Sequence, residues 1–428
     1  MLKFSEDLLQ FIWQHKLLKP LPLLTYSGKE IVVLKAGELN RDAGPDFTNA
    51  QIRINGIVLA GNIEVHIKTS DWLKHSHQYN KSYDNLILHV VYEHDADIAQ
   101  NENNNVEVLE LKHLVDDTTF ATYEQLHGAS GKLPCSGQLQ AVNELKFINW
   151  MDRMAIERLE DKVKRIDNLF EFFNGDYTQA FYAVLLRNFG FKVNAVPFEM
   201  LAKNLPVHLL LKHADNLMQL EALLLGVSGL LDDQFENKYI QNLQNEFAYL
   251  KTKYRLTAMQ KEVFKFSAAR PANFPTLRLA QFAALLQANP ALFTEPQKHT
   301  DADALKRALN IKAQGYWKNH YTANGKALEK DLSFGQASVE NVVINTFAPF
   351  FFFYGKKLYK PEFSDAAIAL LNTCAFEKNA KTKLFKARKA DMANAAGSQA
   401  VINLYDNYCI KKQCLKCGIA ASILKPVY

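Results

Sequence analysis

Apolar positions in this chain follow two periods in turn: mostly alternation over roughly the first third, then helical spacing. Within Ser5 to His15, Leu8, Leu9, Ile12 and Trp13 have the spacing of a short amphipathic helix. Glu30-Ile31-Val32-Val33-Leu34 is β-branched and reads as a strand. Turn formers then crowd from Gly37 to Pro45, with Asn40, Asp42 and Gly44 as punctuation. Residues 50–54 alternate, Asn55-Gly56 is a strong hairpin signal, and residues 57–60 return. Ile63, Val65 and Ile67 line one face of a strand over 62–68, so Glu64, His66 and Lys68 share the other. A short helical crossover near Asp71-Trp72 leads to Leu86 to Tyr92, a mostly apolar strand of the buried type. Val106 to Leu111 reads as a half-exposed strand, and together these elements make a mixed sheet.

From about Gln138 the spacing changes: Val142, Leu145, Ile148, Met151, Leu159, Val163 and Ile166 recur as one helical stripe. Further helices are expected over Tyr177 to Phe189, Met218 to Leu231, Tyr239 to Tyr254, Leu277 to Leu286, Ala302 to Leu309 and Glu362 to Ala375. Pro206, Pro271, Pro275 and Pro290 separate them. Val342 to Tyr354, the most apolar stretch, contains Asn345 and Pro349 and is too short to cross a bilayer, so it reads as a buried helix. No repeat of fixed period is visible. The expected fold class is α+β: a mixed α/β domain over 1–136, a mostly α-helical domain over 137–400, and a cysteine-rich segment over 401–428 packing back on the first.

Composition narrows this picture modestly. With 428 residues, 48% of them hydrophobic and 22% charged, the chain has the make-up of a soluble globular protein of two or three domains. A formal net charge of +5 permits nucleic-acid binding without arguing for it. Glu6 and Asp7 stand where a signal peptide needs basic residues, so a cytoplasmic location without a membrane partner is expected.

The chemistry concentrates behind the Gly44-Pro45-Asp46-Phe47 turn. Asp46 after a proline-fixed turn and Glu64 on the adjacent strand can hold magnesium or manganese, which needs one or two carboxylates together with phosphate oxygens and waters. His66 or Lys68, on the face of Glu64, is then placed to orient an attacking water or steady developing charge. The plainer alternative is that Asp46 caps a turn and Glu64 is a solvated strand residue. Glu38, Asp42 and Asp71 are secondary acidic candidates. His75 and His77, two apart, cannot face the same way on a regular helix; in a loop both can meet a metal or a phosphate. With His66 and His89 they make a histidine-zinc hydrolase a further alternative, though without a fixed ligand spacing.

Cys409, Cys414 and Cys417 crowd near the C-terminus, and Cys414-x-x-Cys417-Gly418 has the knuckle pattern that grips one metal. Cys135, after Pro134 in an expected loop, is the fourth ligand of choice over Cys374, which lies in an apolar helix. Zinc and a 4Fe-4S cluster both suit four thiolates. Lys378, Lys381, Lys383, Lys386, Arg388, Lys389, Lys411, Lys412 and Lys416 make this end locally basic, which suits a nucleic-acid backbone or simply a solvated face.

The run from Gly37 to Phe47, Gly61-Asn62-Ile63-Glu64-Val65-His66, Ser70-Asp71-Trp72, His75-x-His77 and Leu88-His89-Val90-Val91 resemble the uncharacterised bacterial family known as domain of unknown function 2851. Arg270 to Pro275, Arg278-Leu279-Ala280 and the terminal cysteines extend that resemblance over essentially the whole chain, and it implies no activity. The first third is also similar, in element order and motif, to the PD-(D/E)XK nuclease fold. That resemblance implies Asp46 and Glu64 as metal ligands and hydrolysis of phosphodiester bonds in DNA or RNA. His66 stands at the catalytic lysine's position, a departure for which Lys68 can substitute. Some nucleases of this fold carry a cysteine staple for an iron–sulfur cluster, built from one early and three late cysteines, the arrangement of Cys135 with Cys409, Cys414 and Cys417. The contrasting reading is a non-catalytic scaffold for nucleic acid or protein, with a degenerate nuclease core and a structural metal site.

Overall fold

Alternation in the first third becomes one seven-stranded sheet in the computed structural model, which describes residues 4–97, 106–129 and 131–425. Its strands are β1 (Leu23–Leu24), β2 (Glu30–Lys35), β3 (Glu38–Leu39), β4 (Phe47–Ile54), β5 (Ile57–Lys68), β6 (Leu86–Glu93) and β7 (Val108–Glu110). They lie in the order β1-β2-β4-β5-β6-β7, with β3 paired to β4. The pairs up to β4–β5 are antiparallel, and β5–β6 and β6–β7 are parallel. Asn55 (φ 45°) and Gly56 (φ 85°) both take positive φ between the partners Ile54 and Ile57, as a tight hairpin turn with right-handed strand twist requires. The parallel step from β5 to β6 needs a crossover, supplied by a short helix at Asp71–Lys74 and two 3₁₀ turns.

The amphipathic helix α1 (Glu6–His15) buries Leu8, Leu9, Phe11, Ile12 and Trp13 and packs on β5. Each such side chain contributes about 1.5–3 kcal/mol by leaving water. Trp13 Nε1 also donates to the Ala36 carbonyl at 3.0 Å. The short crossover helix is α2 (Asp71–Lys74), and α3 (Asp117–Gly128) follows β7. No helix is expected here from the sequence; Asp116 caps α3 by accepting from the Thr118 N–H.

Two compact units divide the chain. The first comprises 1–150, 384–388 and 404–428; the second comprises 151–383 and 389–403. The second unit is helical, and its helix Tyr177–Phe189 matches the span expected from periodicity. Val342 to Tyr354 is buried but not one regular helix: Gln336–Val342 passes through a π turn at Val343–Phe347 into Ala348–Leu358. Pro349 has no N–H to return to the Asn345 carbonyl, and Asn188 Nδ2 donates to that carbonyl at 2.9 Å instead. No helix among the described residues is long and apolar enough to cross a membrane.

Candidate functional site

The Pro-Asp turn is locked by one side chain. Asn40 Nδ2 donates to the Pro45 carbonyl (3.1 Å), the Asn40 N–H to the Asp46 carbonyl (2.7 Å), and Gly44 supplies φ 114°. β4 ends its pairing at Phe47 opposite Ile63, which leaves the next residues of β5 without a strand on that side. Side chains take over the ladder there. Asp46 Oδ2 accepts from the Val65 N–H at 3.0 Å, and the Glu6 carboxylate is hydrogen-bonded to the Ile67 backbone. Gln10 Nε2 donates to Asp46 Oδ1 at 2.9 Å, and the Asp46 N–H donates to Glu64 Oε2 at 3.0 Å. Glu6 and Gln10 were missed by sequence reading; their signal is a polar i,i+4 pair beside the apolar stripe of α1.

Glu64 and His66 are almost fully buried on β5, and Glu64 pairs in register with His89 on β6. His66 Nδ1 lies 2.9 Å from His89 Nε2, and His66 Nε2 lies 3.1 Å from His75 Nδ1. Glu64 Oε1 is 3.5 Å from His66 Nε2 and 3.3 Å from His77 Nε2. His75 ends α2 and His77 opens the next turn; Ser76 between them is left-handed (φ 60°), which aims both rings at His66. One ring nitrogen from each of His66, His75 and His77 lies within 4.8 Å of the other two. Tyr83 stacks on His77 at 4.2 Å, with the Trp72 edge against both rings.

Other sequence candidates stand apart from this cluster. Lys68 directs its ammonium to Glu93 (3.8 Å) and Asp95 (3.7 Å), since Lys68 and Glu93 are partners across the parallel β5–β6 pair. Glu38 is exposed and pairs with Lys35, whose hydrogen bond holds its carboxyl below the ordinary range. Asp42 is exposed, and its N–H donates to Asn40 Oδ1. Asp71 accepts from the Lys68 N–H at 2.9 Å and from Lys74 at 2.5 Å, which fixes the start of the crossover.

Burial disfavours the charged forms of Asp46, Glu64, His66, His77 and His89. Burial raises Asp46 to about 6 against the hydrogen bonds it accepts, and nearby Glu6 and Asp7 add to the rise. Burial and then the Asp46 charge raise Glu64 to about 9. Burial, then neighbouring rings, lower His66 and His89 to about 3 and His77 to about 4. Buried uncharged imidazoles beside carboxyls are donors that a cation would stabilise in their ligating form.

Cys135, Cys409, Cys414 and Cys417 all belong to the first unit, and burial raises all four thiols. Cys135 reaches about 12, with Cys417 and Cys414 adding to the effect of burial, and Cys417 reaches about 11. Among the described residues no three thiols come within 4.8 Å of one another. Gly418 is required after Cys417: a Cβ there would meet the Trp150 ring at 2.5 Å. Cys374 lies in the second unit, buried where the helix Pro361–Thr373 ends. Of the basic positions, Arg388 is buried; it donates to the Val142 carbonyl at 2.7 Å and lies over the Phe147 ring. Lys412 donates to the His127 carbonyl, and the side chain of Lys389 lies outside the described residues.

Nothing among curated proteins or solved structures matches the chain. A family described as "Protein of unknown function (DUF2851)" does, over residues 6–380, a span that takes in Asp46, Glu64, all four histidines of the pocket and Cys135 but stops short of the three late cysteines. The match covers most of the sequence, and the chain belongs to that family.

Proposed function

We propose that the pocket at the end of β4 and β5 is the active site of a metal-dependent hydrolase acting on phosphodiester bonds of DNA or RNA. The observation that carries this reading is Glu64: its Oε2 is fixed by the Asp46 N–H while its Oε1 sits beside the His66 and His77 nitrogens. Burial favours the neutral Glu64 carboxyl, and a cation bound beside it would ionise it; the carboxylate held this way is then placed to take a proton from water, and the rings can steady charge developing on a phosphoryl oxygen. Asp46 orients Glu64 and, with Gln10 and Val65, keeps the turn in place. A divalent ion would supply a nucleophilic water and polarise the phosphate.

The nuclease likeness implies magnesium or manganese on Asp46 and Glu64. The donor set fits these hard ions poorly. Both Asp46 oxygens and Glu64 Oε2 already accept hydrogen bonds, and the remaining Glu64 oxygen is surrounded by imidazole nitrogens. The cysteine quartet suits a structural zinc or iron–sulfur staple. A single zinc holds thiolates about 3.8 Å apart, given Zn–S bonds of about 2.3 Å. Four thiolates suit either group.

One observation favours a scaffold instead: both nitrogens of His66 and both oxygens of Asp46 find partners within the protein, as in a static polar network. Full-length protein incubated with single-stranded DNA, duplex DNA and RNA, with zinc, manganese or magnesium, separates the two. A hydrolase cleaves at least one substrate and loses at least about 100-fold in rate as Glu64→Gln, a typical contribution of a general base. Equal, metal-independent inactivity of both proteins refutes the proposal and supports the scaffold.

A further inference from the structure

We infer that His66, His75 and His77 form a binding site for a transition-metal ion that prefers imidazole, with zinc the best match, in place of an oxygen-ligated magnesium or manganese ion. The inference rests on the pocket being functional, but it concerns metal chemistry and not turnover.

Distances carry it first. Nitrogens bound to tetrahedral zinc at about 2.0–2.1 Å lie about 3.3–3.4 Å from one another. His66 Nε2 and His75 Nδ1 are 3.1 Å apart, and the ligand atoms of all three rings fit within 4.8 Å, so small ring rotations close the set around one ion. The second observation is an unsatisfied atom. His77 Nε2 is buried with no hydrogen-bond partner, because the Glu64 oxygen 3.3 Å away lacks hydrogen-bonding geometry. A buried nitrogen left in that state carries an uncompensated desolvation cost, which a bound cation would recover.

The surroundings also match a ligated site. Coordination through His66 Nε2 puts the ring proton on Nδ1, where it is donated to His89 Nε2 at 2.9 Å; a second residue of this kind fixes the tautomer and orientation of a metal-bound imidazole. Tyr83 stacked on His77 restricts that half-buried ring. Three protein ligands with an open position are the pattern of catalytic zinc. His75 is exposed, so the site opens to solvent on that side. Glu64 Oε1, adjacent to two of the nitrogens, is then the neighbour of whatever fills the open position.

Metal-stripped full-length protein titrated with zinc, and separately with cobalt(II) as a spectroscopic probe, tests this. Wild type is expected to bind about one equivalent that Cys409→Ser retains, giving cobalt ligand-field bands free of thiolate charge transfer. His75→Ala and His77→Ala should each weaken that equivalent by at least about 100-fold, since each removes a direct ligand where second-neighbour changes cost 10–100-fold. His75 is exposed, so its variant should melt with wild type in the metal-free state and decides the matter if His77→Ala does not fold. Unchanged zinc affinity in His75→Ala, or displacement of the ion by millimolar magnesium, overturns the inference. Zinc bound through these histidines in a protein that cleaves no phosphodiester would refute the proposed function and leave this site standing.

Discussion

Glu64→Gln should change how stability depends on pH in the metal-free protein. Glu64 is about 4% exposed, and burial together with the Asp46 charge pushes its carboxyl up to about 9 in the folded chain against an ordinary 4.5. Because the folded value is raised, the neutral carboxyl's contribution is fully present below about 4.5 and is lost as pH rises toward 9. Over that window the unfolded chain is ionised at this residue while the folded chain is not, so stability falls by about 1.4 kcal/mol per pH unit. From pH 5 to pH 8 the loss is on the order of 4 kcal/mol, a large share of a typical domain's stability. Gln keeps an oxygen for the Asp46 N–H and cannot ionise. Urea denaturation followed by tryptophan fluorescence reports mainly on the first unit, which holds Trp13, Trp72 and Trp150. The variant should lose much less stability over this range and exceed wild type at pH 8, and zinc should flatten the wild-type curve. Parallel pH profiles for the two proteins would refute the reasoning.

Three further outcomes follow from the same structure. His89→Phe should weaken zinc binding about 10–100-fold in a competition titration, because it removes the partner of His66 Nδ1 without removing a ligand. Glu221 accepts from Tyr239 Oη (2.8 Å) and Trp317 Nε1 (3.0 Å), and burial raises it to about 8. The second unit should therefore lose stability as pH rises from about 5 to 8, and Glu221→Gln should remove most of that slope in thermal melts. Gly226→Ala would set a Cβ 2.1 Å from the Phe247 ring, an overpacking expected to cost about 2 kcal/mol or more, which Phe247→Leu in the same chain should partly restore.

Much of the sheet was legible because local rules agree there: β-branched alternation, Asn55-Gly56, and an apolar run at β6. Tyr177–Phe189 was equally plain, with Asp176 as its N-cap. Tertiary context decided the rest. Val342 to Tyr354 reads as one buried helix, yet it contains a π turn before Pro349 whose freed Asn345 carbonyl accepts from Asn188 of another helix. At the pocket, strand alternation put Glu64, His66 and Lys68 on one face but could not indicate that Lys68 is drawn to Glu93 by the parallel neighbour. His75 and His77 look incompatible on a helix; the left-handed Ser76, which the sequence does not announce, brings them together. Glu6 and Gln10 lie far from Asp46 in sequence, and only the packing of α1 on β5 delivers them.

Anomalous scattering at the zinc edge, from crystals grown with zinc, bears most directly on whether this pocket is a metal centre. The expected result is a peak about 2 Å from His66 Nε2, His75 Nδ1 and His77 Nε2, next to Glu64 Oε1. A map whose peaks lie only among Cys135, Cys409, Cys414 and Cys417, with the histidines still bonded to one another, would contradict it.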